Sequence, residues 1–492
     1  MKTRPERRQR SSLDRLRHIR FRRWVNPWAS VGARPRVSPW RRLSPAQVFV
    51  LSFLMLIVLG TVGLRALPGL YTGEPLGWVD ALFTATSAVC VTGLIVVDTA
   101  TYFTAWGQAY LLLLIQLGGL GMITFTTMII LALGRRISLR QEVISTSGAE
   151  VAPDVQVDRL AKDVVRFTFA IELVGALLLY LLWLPRLGVA DAIWPAVFHA
   201  VSAFCNAGFS IFSDNLMGFQ RAPITQGVVM LLIVLGGIGF LTMEEIATWR
   251  RARRLARPFR LSTHSRLALV TTGVLIAGGW VAFAAFEWTV LFEGVAAPLK
   301  LVNALFMSVT ARTAGFNTID YGLATDSTNF LTIILMFIGG SPGSTAGGIK
   351  TTTVALLALL AWSRMRGREI PSVWARSIPE ETVQRAVGLA VAVFALVTVS
   401  IFVLTATERH EQIYLSPQGE FLSYMFEAVS AFNTVGLSMG PTDELSVAGR
   451  WLAIVLMFLG RVGPLTFAAA LALRARRHGA TYRYAYEDVV VG

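Results

Sequence analysis

Phe198 to Phe209 reads F-H-A-V-S-A-F-C-N-A-G-F, and the chain writes that pattern four times in all. The other copies are F-T-A-T-S-A-V-C-V-T-G-L from Phe83 to Leu94, F-M-S-V-T-A-R-T-A-G-F from Phe306 to Phe316, and F-E-A-V-S-A-F-N-T-V-G-L from Phe426 to Leu437. Their closing glycines, Gly93, Gly208, Gly315 and Gly436, stand 115, 107 and 121 residues apart. Internal repetition decides an architecture before local propensity does. Each copy is a short apolar stretch ending in a small or polar pair and a glycine. Only glycine lets the backbone turn its carbonyls inward at any dihedral, which a ring of carbonyl ligands around a bare cation requires. The pattern predicts the lining of a pore. The third copy is one residue shorter, so any fourfold symmetry is approximate.

Composition sets the solvent. Hydrophobic residues make up 54% of the chain and charged residues 15%, with mean hydropathy +0.58, which excludes an ordinary soluble globular protein. Apolar runs long enough to span a bilayer recur at 48–64, 110–133, 226–243, 267–286 and 387–404. A piece such as Ala81 to Cys90 is too short to cross ~30 Å of hydrocarbon at ~1.5 Å per residue. It can enter as a half-helix and return extended where protein surrounds it. The expected fold is an all-α membrane protein of four tandem helix–pore-loop–helix repeats, at about 44–135, 155–250, 262–365 and 380–476, followed by a C-terminal segment. That gives eight spanning helices and four re-entrant pore helices around a pseudo-fourfold central pore.

The net charge of +15 is distributed by side. With the N-terminus in the cytoplasm, 37 Lys and Arg fall inside. Seven fall outside (Arg65, Arg186, Arg221, Lys300, Arg312, Arg409 and Arg450), and Arg461 lies within a span. This is the positive-inside bias of a multi-pass protein. The basic tail, residues 1–43, reads as an orientation signal resting on anionic lipid, with an RNA-binding arm as the weaker reading. It is expected to be poorly ordered. The apolar segment after Pro45 is too long for a signal peptide and lacks a small-residue cleavage site.

A second mark follows each copy: Leu117-Gly118-Gly119-Leu120-Gly121, Leu235-Gly236-Gly237-Ile238-Gly239, Ile338-Gly339-Gly340 and Leu459-Gly460-Arg461-Val462-Gly463. Close helix packing accounts for the first two. The third runs on as Ser341, Pro342, Gly343, Ser344, Thr345, Ala346, Gly347, Gly348, Ile349, Lys350 and Thr351, which should break the helix in mid-membrane. Freed backbone at that depth belongs where it lines a wet cavity, and the space below the glycine segments is the candidate. A phosphate-binding loop is a near miss, since Ile349 stands where lysine is needed and no strand precedes it. Arg461 either bonds carbonyls and holds helices together, or places a fixed positive charge under the glycines, opposite the broken helix.

Weaker candidates remain. Asp98, Asp214, Asp320 and Asp443 follow their glycines by 5, 6, 5 and 7 residues. They could ring an outer mouth or serve as turn residues. Cys90 and Cys205 read as small buried packing. His199 and Glu427, at matching places in their copies, read as helix-to-helix hydrogen bonding rather than a proton relay, and Glu172 is equally ambiguous. The apolar C-terminal stretch Tyr482 to Gly492 is expected to pack at a subunit interface.

The four segments, the 339–353 loop and Gly460-Arg461-Val462-Gly463-Pro464-Leu465-Thr466 together resemble the Trk/Ktr/HKT superfamily of cation transporters, over about residues 44–492. Within it they are most similar to the KtrB-type membrane subunit of bacterial potassium uptake systems. TrkH-type subunits carry an acidic residue shortly after the arginine, where this chain has Gly463 and Pro464. The resemblance implies a K+ selectivity filter of Val91, Thr92, Gly93, Asn206, Ala207, Gly208, Thr313, Ala314, Gly315, Thr434, Val435 and Gly436. It implies a gate formed by the loop from Gly339 to Lys350 with Arg461 as its partner. It further implies a homodimer in the bacterial inner membrane, seated on a cytosolic nucleotide-binding (RCK-type) regulatory ring, with Na+-stimulated transport and no enzymatic activity. Plant relatives that prefer sodium carry serine in the first segment, so Gly93 implies potassium. The alternatives are a Na+-conducting relative, a subunit of an ATP-driven cation pump, for which no Walker A motif is present, and a receptor that conducts nothing.

Overall fold

The computed structural model describes residues 44–142, 157–256, 259–368, 370–408, 420–464 and 466–468. The basic tail and the C-terminal stretch from Tyr482 lie outside the described residues. The described chain is mostly helical, as apolar segments must be when lipid offers their backbone no partner. Five helical stretches are long and apolar enough to cross a bilayer: Ala46–Ala66, Ala105–Thr124, Lys162–Leu187, Thr263–Glu287 and Glu380–Thr407. Counting the bent pair Pro223–Ile238 and Phe240–Arg254 as one span makes up to six. These helices leave wide apolar faces uncovered. Only 28% of the Lys162–Leu187 window and 22% of the Glu380–Thr407 window is buried, and Leu173, Val391, Phe394 and Phe402 stand exposed. Apolar surface on that scale needs lipid, so this is a multi-pass membrane protein.

Four shorter helices occupy the middle: Trp78–Val89, Ile193–Cys205, Ala297–Thr310 and Glu420–Asn433. At 12 to 14 residues they are about 20 Å long and fall short of a crossing. Phe83, Phe198, Phe306 and Phe426, the first residue of each copy of the pattern, are fully buried. Each short helix packs against the long helix that precedes it. The helix that follows each one packs against the next short helix along the chain, and the last, Val447–Val462, closes onto Trp78–Val89. The short helices are thereby wedged into one closed circuit.

Two departures from the sequence reading have physical causes. A small antiparallel hairpin pairs Ser372–Val373 with Arg376–Ser377, so the fold is not purely α-helical. Pro371 and Pro379 bracket it and keep the flanking helices from running through. The helix ending at Ile238 bends by 101° into Phe240–Arg254 at Gly239, whose φ of 93° few other residues would adopt. The sequence reading gave that glycine cluster only close packing.

Candidate functional site

Every short helix ends in the same backbone signature. Two residues before the glycine, a non-glycine residue turns left-handed: Val91 (φ 56°), Asn206 (58°), Thr313 (69°) and Thr434 (51°). Gly93, Gly208, Gly315 and Gly436 follow at 95°, 70°, 79° and 90°. For β-branched Val91, Thr313 and Thr434 this conformation costs on the order of 1–3 kcal/mol each, so a particular backbone path is being enforced. The donors are tied to the helix. Thr92 N–H donates to Ser87 O at 2.8 Å, Ala207 to Ser202 O at 2.8 Å, Ala314 to Thr310 O at 3.0 Å and Val435 to Ser430 O at 2.9 Å. The acceptors are left over: among the described residues, no protein hydrogen bond ends on the carbonyls of 91–93, 206–208, 313–315 or 434–436.

The four segments also close on one another. A Cβ on Gly93 would collide with Ala207 O, and one on Gly208 would stand 2.8 Å from Gly315 Cα. On Gly315 it would meet Val435 O at 2.5 Å, and on Gly436 it would collide with Thr92 O. The buried hydroxyls of Thr92, Thr313 and Thr434 have no protein partner. The outcome is a ring of neutral oxygens at the C-terminal ends of four helices, whose dipoles add negative potential there. Carbonyl oxygens arranged in a ring can take the place of a monovalent cation's water shell.

Four hydroxyls that sequence reasoning passed over brace this ring. Ser87 Oγ donates to Leu94 O at 2.7 Å and accepts from Gly93 N–H at 3.1 Å. Ser202 donates to Phe209 O at 2.7 Å and Thr310 to Phe316 O at 2.5 Å, while Ser430 accepts from Gly436 N–H at 3.1 Å. The signal was present: a Ser or Thr before an alanine stands at this place in all four copies.

On the far side from the short helices the ring opens into a cavity of about 280 Å³, lined by Gly93, Gly208 and Gly436 together with Asp98, Asp214 and Asp320. Asp443 is not part of this lining. The turn reading holds for Asp98 and Asp320, and three of the four carboxylates border the cavity. Asp98 accepts from Ala100 N–H at 3.0 Å, Thr101 at 2.8 Å and Ser213 at 2.7 Å, and Asp320 from Gly322 N–H at 2.8 Å. Burial pushes the Asp98 carboxyl up, but the bonds from Ser213, Thr101 and Ala100 outweigh it and hold it below its ordinary value. A carboxylate charge in such a place attracts cations.

On the other side of the ring, the helix Asp326–Phe337 stops and the chain wanders from 338 to 350 before Thr351–Met365 resumes. The interruption is satisfied by the break in its neighbour. Ser341 N–H donates to Gly237 O at 2.8 Å, Thr345 N–H to Gly236 O at 3.2 Å, and Phe240 N–H to Gly343 O at 3.0 Å. Two broken helices supply each other's missing partners. The loop sits directly against the short-helix ends: Thr345 Oγ1 donates to Phe204 O at 3.2 Å, and a Cβ on Gly347 would collide with Thr434 Oγ1. Lys350 Nζ donates to Ala346 O at 2.6 Å and closes the loop on itself. Arg461, fully buried, donates from Nη1 to Thr345 O and from Nη2 to Gly118 O at 3.2 Å. The carbonyl-bonding reading of this arginine describes these contacts, and one of the two carbonyls belongs to the loop.

The remaining candidates sort by contact. Arg312 is not an outer residue; it is only 8% exposed, with Nη2 3.5 Å from Thr272 Oγ1 and Gly339 O. It occupies the place of Cys90, Cys205 and Asn433 in the other copies, on the inward part of its segment. Cys90 and Cys205 are buried free thiols. Gln116 Nε2 donates to Glu172 at 3.1 Å, and Cys205 Sγ lies 3.5 Å from Gln116 Oε1. His199 and Glu427 bond to the loop after their own glycine, not to another helix.

Comparison with known proteins gives the family. The family model TrkH, described as a cation transport protein, matches residues 39–476. The chain belongs to the TrkH cation transport family. Ktr system potassium uptake protein B of Bacillus subtilis is 38% identical over 461 residues, covering 93% of this chain and 99% of that protein. Potassium/sodium uptake protein NtpJ of Enterococcus hirae is 37% identical over 456 residues, covering 92% and 98%. The crystal structure of the potassium transporter TrkH from Vibrio parahaemolyticus has the same fold, with a TM-score of 0.69 at 19% identity over 89% of this chain and 87% of that one. Within the TrkH family, the chain is thus similar to the KtrB-type members along nearly its whole length.

Proposed function

We propose that this chain is the ion-translocating membrane subunit of a potassium uptake system. K+ crosses through the ring of Gly93, Gly208, Gly315 and Gly436 with the residues before them, which act as its selectivity filter. The observation that carries this reading is the pairing of tied donors with free carbonyls in four segments that close on one another. The names of the Bacillus and Enterococcus relatives support it. The loop 339–350 is the gate, and Arg461 holds it across the path.

The architecture is four repeats and eight spans. The bent pair Pro223–Ile238 with Phe240–Arg254, the interrupted pair Asp326–Phe337 with Thr351–Met365, and Val447–Val462 complete the five long spans. Their breaks are functional irregularities where the path runs. The N-terminus is cytoplasmic in a bacterial inner membrane, the chain works as a homodimer on a cytosolic nucleotide-binding ring, and Na+ stimulates transport. The C-terminal stretch belongs to the dimer interface, so deleting Val489 to Gly492 should lower the mass of the purified assembly; an unchanged mass removes that role.

A second reading, in which Na+ is carried as well, is favoured by the Enterococcus relative's name. Purified protein in liposomes separates these readings. An imposed K+ gradient should drive flux without ATP, and an equal Na+ gradient should drive much less. Equal fluxes establish the sodium-carrying reading. No flux of either ion, in protein that elutes as a single folded species, refutes transport by this chain alone.

A further inference from the structure

Behind the ring, two of the four segments carry a polar side chain that neither the oxygen ring nor the loop uses. These are His199 and Glu427, the second residue of their copies of the pattern. Both are buried, at 0% and 1% exposure. Each reaches past its own filter segment to the loop beyond it. His199 Nε2 lies 2.9 Å from Ser210 Oγ. Glu427 accepts from Ser438 Oγ at 2.9 Å and from Thr442 Oγ1 at 2.5 Å. Ser210 and Ser438 occupy the same place, two residues after the glycine, and with Thr442 they line the mouth.

The two struts are built alike in detail. Each serine in turn accepts from a loop amide two residues on, Phe212 N–H and Gly440 N–H, both at 3.0 Å. His199 Nδ1 sits 2.8 Å from Pro195 O. Only an N–H can satisfy a carbonyl, so in the neutral ring Nε2 is an acceptor facing the Ser210 hydroxyl at 2.9 Å, with Asn215 O at 3.2 Å as that hydroxyl's other acceptor. Phe212 stacks on the imidazole at 4.8 Å and Trp183 meets it edge-on at 5.2 Å, which fixes its plane. In the other two copies the strut is missing: Met307 cannot form it, and the Thr84 hydroxyl has no protein partner. The struts thus stand in the second and fourth segments, opposite one another in the circuit.

We propose that His199 and Glu427 are specificity-determining positioning residues. They hold the mouth end of the second and fourth segments, and so keep the ring at the width that prefers one monovalent cation. The reasoning is mechanical. The amides of the segments are anchored to the short helices on the inner side, but the carbonyls face one another and repel. On the mouth side Ser202 holds Phe209 O and Ser430 holds Gly436 N–H. Without the further hold of the struts beyond them, the segments spread and the discrimination between ions of similar charge and different radius falls. The inference rests on the proposed reading of the ring as a filter.

The test is the K+/Na+ permeability ratio, from reversal potentials in proteoliposomes. Glu427→Ala should lower the ratio roughly threefold or more, since it removes the acceptor of two hydroxyls. Glu427→Gln, which keeps the volume and one acceptor oxygen, should fall between, and His199→Gln should lower the ratio by its own strut. Ser438→Ala with Thr442→Val should reproduce Glu427→Ala, and combining all three should add nothing further. A purely structural role would change the yield or the flux and leave the ratio alone. Gly436→Ser serves as the control on the ring itself. If it shifts the ratio while folded strut variants keep the wild-type value, the inference is overturned and the filter reading stands. If no variant shifts the ratio, both fall. Should Glu427→Ala not fold, Glu427→Gln and the Ser438/Thr442 pair carry the comparison.

Discussion

Arg461→Ala should open the path, and the structure sets the size of the effect. The guanidinium is fully buried and makes one bond to the loop, at Thr345 O, and one to a neighbouring helix, at Gly118 O. A hydrogen bond from a charged donor is worth ~1.5–3 kcal/mol. If the Thr345 bond exists only while the loop lies across the path, its loss shifts the closed-to-open ratio by roughly 10- to 150-fold, at ~1.4 kcal/mol per decade. Charge adds to this, since two unit charges ~8 Å apart repel by ~2 kcal/mol at an effective dielectric of ~20. Arg461→Lys separates the two effects, because lysine keeps the charge and loses the planar fork. The assay is K+ flux in liposomes with and without the cytosolic partner, using Arg461→Ala, Arg461→Lys, a deletion of Ser341 to Ala346, and the deletion combined with Arg461→Ala. The alanine variant should raise partner-free flux about tenfold or more, lysine less. The combination should be less than additive, because both changes remove the same barrier. Low, fully partner-dependent flux in folded variants refutes the gate. Loss of assembly in all of them assigns Arg461 to holding helices through Gly118 instead.

Gly93→Ser should weaken discrimination against Na+, because Gly93 sits at φ 95° and a Cβ there collides with Ala207 O; identical permeability ratios before and after would remove this segment from the filter. Gly236→Ala pushes a methyl into Phe204 O beneath the loop and should cost ~1–3 kcal/mol, read as a lower melting temperature in detergent; unchanged melting would contradict the close helix approach. Asp98 has a folded-state pKa held below its ordinary value by Ser213, Thr101 and Ala100 against the opposing effect of burial. Its latch therefore contributes fully above the ordinary carboxylate value of about 4 and is lost as pH falls through the lower folded value. Asp98→Asn should then lower the melting temperature at neutral pH, with the difference shrinking in acid; a difference independent of pH would show that the carboxylate charge is not what holds the latch.

The spacing of the four glycines, the apolar spans and the Pro342 loop could be read directly from the chain, because each is a local constraint. A residue that must adopt positive φ, a run that must lie in lipid and a proline that must break a helix are set by their own chemistry. Ser87, Ser202, Thr310 and Ser430 were equally visible in every copy and went unread. A buried serine looks like any small polar residue until its partner, Leu94 O or Gly436 N–H for instance, is known. His199 and Glu427 were noticed as a matched pair, but their partners lie in the loop beyond the glycine and not on another helix.

Partnership across the chain is what only the tertiary structure decided. Gly239 looked like ordinary packing until the helix was seen to bend there, freeing Gly236 and Gly237 carbonyls for the amides of Thr345 and Ser341, about a hundred residues on. Arg312 looked like an outer-loop cation until it was found buried beside Gly339 O. Arg461 had a depth in the sequence but no bonds until Thr345 and Gly118 were placed around it. Backbone conformation and solvent preference are properties of a residue and its neighbours, so they survive in a one-dimensional reading. The partner that satisfies a buried polar group is supplied by whichever distant segment packs against it, and that is settled only when the helices close their circuit.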